Sequence, residues 1–185
     1  EHIAAILREA DEQTPLFAEN WHSDWSFLEH PPAGTCLLAV DIPPKGGDTL
    51  FADQAAAFAA LPDQRKDYLR SLTAIHSAKL AYAPEGTYGE RDEGRSMAIE
   101  PDESARATQL HPLVQRHPET GVEYLYSTLG YIVGIEGMGQ AEAIALLSDL
   151  AQWQARDAFV YRHRWEHDML VMWDNRSVLH KATGG

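Results

Sequence analysis

His22 and Asp24 sit two positions apart in Asn20-Trp21-His22-Ser23-Asp24-Trp25, and a second histidine, His180, closes the segment Trp173-Asp174-Asn175-Arg176-Ser177-Val178-Leu179-His180 near the other end of the chain. Two imidazoles and one carboxylate are the ligand set of the 2-His-1-carboxylate facial triad. Such a set holds one face of an octahedral Fe(II) ion and leaves the other face open to small molecules. Alternate residues of an extended segment project to the same side, so His22 and Asp24 can reach one ion together. His180 has to be returned to them by the tertiary structure. The set contains no cysteine, which makes structural zinc a poor fit. Taken alone, a His-x-Asp tripeptide is weak evidence, and a surface histidine beside a solvated carboxylate is its commoner explanation. His117-Pro118-Glu119 offers a competing pair. It is set aside because Pro118 and Gly121 already mark that stretch as a turn.

The elements that must position these residues are legible in outline. Residues 1–13 are predicted to form a helix. The metal tripeptide is then expected on a short extended piece from Trp21 to Phe27. Thr35-Cys36-Leu37-Leu38-Ala39-Val40-Asp41-Ile42 is a nearly continuous apolar run and predicts a buried strand. Pro43 to Asp48 reads as a turn, and Thr49-Leu50-Phe51 begins the next strand. Asp53 is placed to cap a helix over Gln54 to Ala60, and Pro62 opens a second that runs through Leu72. A strand over Thr73 to Leu80 and a long polar segment over 84–108 follow. Leu110 to Arg116 and Val122 to Ser127 flank the turn residues Pro118-Glu119-Thr120-Gly121 and predict a hairpin. Gln140 to Arg156 predicts a helix with Ile144, Leu147, Leu150, Ala151 and Trp153 toward the core. Phe159, Tyr161, His163 and Trp165 alternate with Val160, Arg162 and Arg164, which is strand periodicity. Met169 to Trp173 is a short apolar strand leading to His180. A mainly β scaffold with inserted helices results, and a double-stranded β-helix, or jelly roll, suits it best.

Composition narrows the class. At 185 residues the chain fits a single domain, 1–185, with room for a core. Fifteen basic residues against 28 acidic ones give a net charge of −13, without the basic face expected of a nucleic-acid binder. No apolar run is long enough to predict a membrane span, and the first residues do not read as a signal peptide. The lone Cys36 rules out an internal disulfide, so a cytoplasmic setting is expected, with Cys36 as a buried core thiol.

Read in order, Asn20-Trp21-His22-Ser23-Asp24-Trp25-Ser26-Phe27, Pro31-Pro32-Ala33-Gly34, Gly46-Gly47-Asp48-Thr49-Leu50-Phe51, His111-Pro112-Leu113-Val114, His117-Pro118-Glu119-Thr120-Gly121 and Trp173-Asp174-Asn175-Arg176 before His180 closely resemble the taurine dioxygenase / 2,4-dichlorophenoxyacetate dioxygenase family. These are Fe(II)- and 2-oxoglutarate-dependent oxygenases on a jelly-roll core. The resemblance implies that His22, Asp24 and His180 ligate iron, that Thr49 donates a hydrogen bond to the 2-oxoglutarate carboxylate, and that O2 is the oxidant. It implies hydroxylation of a small organic acid of the sulfonate, alkyl sulfate or aryloxyalkanoate type, with release of succinate and CO2. Asp24 fits hydroxylation, since a halogenase would need a small non-ligating residue there. Phe17-Ala18-Glu19 lacks the Asn that taurine-specific members offer, which weighs against taurine. Trp25, Tyr82, Tyr88 and Tyr131 are candidates for a larger substrate, and Trp173 is expected beside the metal pocket. The family also places an Arg shortly after the second metal histidine. Only Lys181-Ala182-Thr183-Gly184-Gly185 follow His180 here, so that Arg is expected beyond Gly185 and the chain is expected to be truncated at both ends. Self-association is common in the family, and the sequence leaves the oligomeric state open. The competing classes are a cupin-like metalloenzyme that does not use 2-oxoglutarate and a catalytically silent jelly-roll binding protein.

Overall fold

The computed structural model describes residues 4–90 and 92–184, and among them the chain forms ten short strands. The strands are β1 (Gly34–Leu38), β2 (Thr49–Asp53), β3 (Thr73–Ser77), β4 (Thr108–Pro112), β5 (Val114–Arg116), β6 (Glu123–Leu125), β7 (Ile132–Ile135), β8 (Val160–His163), β9 (Leu170–Asp174) and β10 (Val178–Ala182). The helices are α1 (Gln54–Ala59), α2 (Asp63–Arg70), α3 (Lys79–Tyr82) and α4 (Gln140–Gln154). The strands form four hydrogen-bonded groups, ordered β1-β9, β10-β2-β8, β4-β3-β7 and β5-β6. Every pairing among the described residues is antiparallel, and strands from opposite ends of the chain meet, β1 with β9 and β2 with β10. This is the jelly roll that the strand pattern and turn spacing predict.

Ala57 and Phe58 of α1, Leu69 of α2, Leu113, Leu125 of β6, Ile132 and Ile135 of β7, and Ala143, Leu146, Leu147 and Leu150 of α4 form one buried cluster. Asp53 caps α1 as expected, its carboxylate accepting from the backbone N–H groups of Ala55 and Ala56 at 2.9 Å each. The predicted hairpin is present as β5 and β6, with Gly121 at φ +71°, a left-handed conformation that glycine adopts without a Cβ clash.

Six expectations give way. No helix forms over the described part of residues 1–13, with residues 1–3 lying outside the described stretch. The segment is instead tied down through side chains. Glu9 N–H donates to Ser96 Oγ, and the Glu12 carboxylate accepts from Ser96 N and Oγ, so tertiary partners replace helical ones. The strand expected to reach Leu80 ends at Ser77, and the chain turns into α3. The run over Thr35 to Ile42 is only half buried, because β1 pairs with β9 alone and one face of this ribbon points outward. Cys36 is therefore exposed, opposite Met172, which is 74 % exposed. On α4 the buried stripe is Ala143, Leu147, Leu150 and Gln154, with Leu146 beside it, and Ile144, one residue off the stripe, is 57 % exposed. Finally, His180 lies in the middle of its own strand, β10, and not at the end of the preceding one.

Candidate metal centre

A short antiparallel contact brings the two ends of the predicted ligand set together. His22 N–H donates to the His180 carbonyl at 3.0 Å, and His180 N–H donates back to the His22 carbonyl at 2.8 Å. The chain is extended through His22 and then turns over Asp24 to Phe27, with Trp25 at φ +51°. The turn starts earlier than the sequence predicts. A bulky residue in the left-handed region stores strain beside a functional cluster. One ligand atom from each of His22, Asp24 and His180 lies within 4.8 Å of the others. His22 Nε2 is 3.6 Å and His180 Nε2 3.5 Å from the same Asp24 oxygen, Oδ1.

These distances suit a shared cation. With metal–nitrogen bonds of about 2.1 Å, adjacent ligands on an octahedral ion sit about 3 Å apart, so the two histidine–carboxylate separations, 3.6 and 3.5 Å, exceed that spacing by about half an ångström. The donor chemistry also fits. His22 Nδ1 is 2.8 Å from the Asn20 carbonyl, which fixes the proton on Nδ1 and leaves the Nε2 lone pair free toward Asp24 and His180. Burial and the neighbouring His22 hold the His180 imidazole neutral, well below its ordinary pKa. His180 is wedged by Trp173, with ring centroids 4.7 Å apart, and by Phe51 at 6.3 Å. Trp173 thus stands beside the cluster, as expected.

Thr49 occupies the same face two residues before Phe51 on β2. It stands opposite Ala182 of β10 and His163 of β8. Its Oγ1 accepts a hydrogen bond from the Trp165 indole at 2.9 Å. Indole only donates, so the Thr49 hydroxyl keeps its own proton to give to a further acceptor. His163 packs edge-on against Trp165, with centroids 4.7 Å apart, in keeping with a structural role.

The competing pair is absorbed elsewhere. His117 Nε2 is 2.8 Å from Asp174 Oδ2, and its Nδ1 accepts from the backbone of Glu119 and Thr120, closing the hairpin turn. Glu119 pairs with Arg176. Burial alone would raise the Asp174 carboxyl, but the Arg176 and His117 hydrogen bonds outweigh it and hold the group well below the usual carboxylate range.

Within electrostatic reach of Asp24, Phe27, Tyr82 and Tyr131 pack together, with the two phenol oxygens 3.4 Å apart. Burial raises both phenols, and the Asp24 charge adds to it. Tyr88 extends the cluster through Tyr82 and Phe17. Trp25 is exposed. Two residues tie down Asp24 through bonds that the sequence does not show. Thr35 Oγ1 donates to Asp24 Oδ2 at 2.5 Å, and Asn175 Nδ2 donates to Thr35 Oγ1 at 2.6 Å. The only sequence signal for Thr35 is a hydroxyl in an otherwise apolar run.

Comparison with known proteins agrees with this geometry. Residues 5–185 match the family described as taurine catabolism dioxygenase TauD, TfdA family. The chain is 37% identical over 164 residues to a putative alpha-ketoglutarate-dependent sulfonate dioxygenase of Schizosaccharomyces pombe, covering 88% of this chain and 39% of that protein. It is 38% identical over 176 residues to the alpha-ketoglutarate-dependent 2,4-dichlorophenoxyacetate dioxygenase of Cupriavidus pinatubonensis, covering 95% of this chain and 58% of that one. Among solved structures, AAD-2 in complex with Mn(II) and N-oxalylglycine superposes with a TM-score of 0.77 at 32% identity, over 90% of this chain and 62% of that chain. The chain thus spans less than two thirds of the length of each of these relatives. A match that runs through both predicted histidines and the carboxylate between them, on a shared fold, makes this chain a member of the TauD, TfdA family.

Proposed function

We propose that the protein is an Fe(II)- and 2-oxoglutarate-dependent dioxygenase. It would convert a small organic acid, O2 and 2-oxoglutarate into the hydroxylated acid, succinate and CO2. The observation that carries the reading is the convergence of His22 Nε2, His180 Nε2 and Asp24 Oδ1 from opposite ends of the chain. In this reading those three residues hold the metal, and Thr49 donates to a carboxylate of the oxo acid. Bound together, the metal and the oxo acid would supply the O2 activation and the oxidising power. The chain's own part is to orient and to exclude water. The Asn20 carbonyl fixes the His22 tautomer, Trp173 and Phe51 wall off His180, and the Tyr82–Tyr131 pair feels the Asp24 charge.

The relatives named for sulfonate and for 2,4-dichlorophenoxyacetate support a substrate with an anionic group on a short carbon frame. Hydroxylation at the carbon next to sulfur or ether oxygen gives a product that fragments. The acidic surface, the lone Cys36 and the absence, among the described residues, of any helix long and apolar enough to cross a membrane suit a cytoplasmic small-molecule enzyme.

The test is anaerobic addition of Fe(II) and then 2-oxoglutarate, followed by visible absorption. A metal-to-ligand charge-transfer band that needs both additions and vanishes in His180→Ala supports the reading. Tight iron binding without a band points to a metalloenzyme that does not use the oxo acid. Failure to bind iron sinks the proposal.

A further inference from the structure

The Asp24 carboxylate is held from behind by a chain of hydrogen bonds whose direction can be worked out atom by atom. Its first member is Trp173, whose indole Nε1 donates to Asn175 Oδ1 at 3.0 Å. Indole nitrogen has a proton and no acceptor lone pair, so this contact settles which end of the Asn175 amide is oxygen. The amide nitrogen is thereby turned toward Thr35, donating to Oγ1 at 2.6 Å. Because the Thr35 oxygen already accepts there, its proton is available for Asp24 Oδ2, 2.5 Å away. A longer contact of 3.4 Å from Asp24 N to Asn175 Oδ1 closes the ring.

β-Sheet register places these groups. Thr35 of β1 stands directly opposite Trp173 of β9, with Gly34 opposite Asp174. A Cβ at Gly34 would come within 3.0 Å of the Trp173 carbonyl oxygen, so glycine at this position permits the close strand approach. Thr35 and Leu37 point to the inner side of the ribbon, while Cys36 and Leu38 point out. Asn175, 2 % exposed, has no competing solvent.

Resting on the metal reading above, we infer that Thr35 and Asn175 are positioning residues that commit Asp24 to ligate through Oδ1 alone. The two carboxylate oxygens have different fates. Oδ2 is taken by the Thr35 hydroxyl, and Oδ1 is the oxygen that faces both histidine nitrogens. A carboxylate free to rotate can bring both oxygens to a cation, and a second oxygen would fill a position that co-substrate or O2 requires. The charge-assisted bond from Thr35 opposes that rotation. Hydrogen-bond partners of metal-binding carboxylates typically influence affinity by 10- to 100-fold.

The experiment compares Thr35→Ser with Thr35→Ala. Both lose the γ-methyl, and only the second loses the hydroxyl. Thr35→Val, which keeps the shape, is the third variant. Each is titrated with Co(II) in place of Fe(II). The readouts are the dissociation constant and the visible d–d spectrum, which reports coordination number. The thermal midpoint of the metal-free protein controls for folding. The inference expects Thr35→Ser to match wild type within about twofold. It expects Thr35→Ala and Thr35→Val to bind about tenfold or more weakly, with an altered d–d spectrum. Should Thr35→Val not fold, the Ser and Ala pair still decides. Equal affinities and identical spectra for Ser and Ala overturn the inference while leaving the metal reading intact. Wild-type protein that binds neither Co(II) nor Fe(II) overturns the metal reading and this inference with it.

Discussion

At the scale of single residues, the site depends on which atom holds which proton. Thr49 shows this most simply. Its Oγ1 accepts from Trp165 Nε1, leaving one hydroxyl proton for a ligand on the face shared with His180. If that ligand is the 2-oxoglutarate carboxylate, Thr49→Val removes a hydrogen bond to a charged group, worth roughly 1.5–3 kcal/mol. The expected outcome is a 2-oxoglutarate dissociation constant raised about tenfold or more, with Fe(II) affinity unchanged. Anaerobic titration of the charge-transfer band reads both, and an unchanged oxo-acid affinity would remove Thr49 from the co-substrate site. The residue types in this cluster were legible in the sequence because a ligand set is a matter of chemistry and spacing. Thr35 was not, since a hydroxyl in an apolar strand gains its meaning only from the partner that register puts opposite it.

At the scale of elements, the strands that carry the site are anchored by local devices. β2 holds Thr49 and Phe51 and runs directly into α1, whose Ala55 and Ala56 N–H groups bond to Asp53. Removing that cap by Asp53→Ala should cost about 1 kcal/mol of unfolding free energy. Asp53→Asn, which keeps the accepting oxygen, should cost little. Urea unfolding of the two variants checks this, and equal losses would show that the cap contributes nothing beyond its charge. Caps and hairpin turns are legible because both partners lie within a few residues of each other. The N-terminal segment is the contrary case. Its helical pattern is real, but Glu12 bonds to Ser96 and Thr14, which pushes its carboxyl down to about 2. Those tertiary bonds, with Arg95 close by, override a short helix that would be marginal alone.

At the scale of the whole molecule, burial makes stability depend on pH. His76 is fully buried between the Tyr126 ring, stacked at 5.4 Å, and the His111 ring at 5.0 Å, with Nδ1 2.9 Å from Ser26 Oγ. Burial, with a smaller contribution from His111, pushes its pKa down to about 3. An unfolded histidine takes up its proton near pH 6.5. The folded state therefore loses stability as pH falls below that value, and the loss levels off only near the folded pKa. Between pH 7 and pH 5 the contribution is roughly 2 kcal/mol. His180 adds to it in the same direction in metal-free protein. Replacing His76 with Gln should flatten the pH dependence of urea unfolding over this interval. A slope equal to wild type would mean that His76 titrates normally.

By itself the sequence determined what is local or periodic. It supplied His22, Asp24 and His180 as a candidate ligand set, the turn at Gly121, the Asp53 cap, the strand and helix alternation and, through these, the jelly roll. The tertiary structure alone decided which faces are covered and which side chains meet. The β1–β9 ribbon reads as core from its composition, yet pairing with nothing further leaves Cys36 and Met172 outside. Asn175 reads as a loop residue, yet it reaches Thr35 and Asp24 across the strand pair. The reason is physical. Side-chain period and turn chemistry are properties of a few consecutive residues, whereas burial and hydrogen-bond partnership belong to pairs of segments whose register is set only once the sheet has formed.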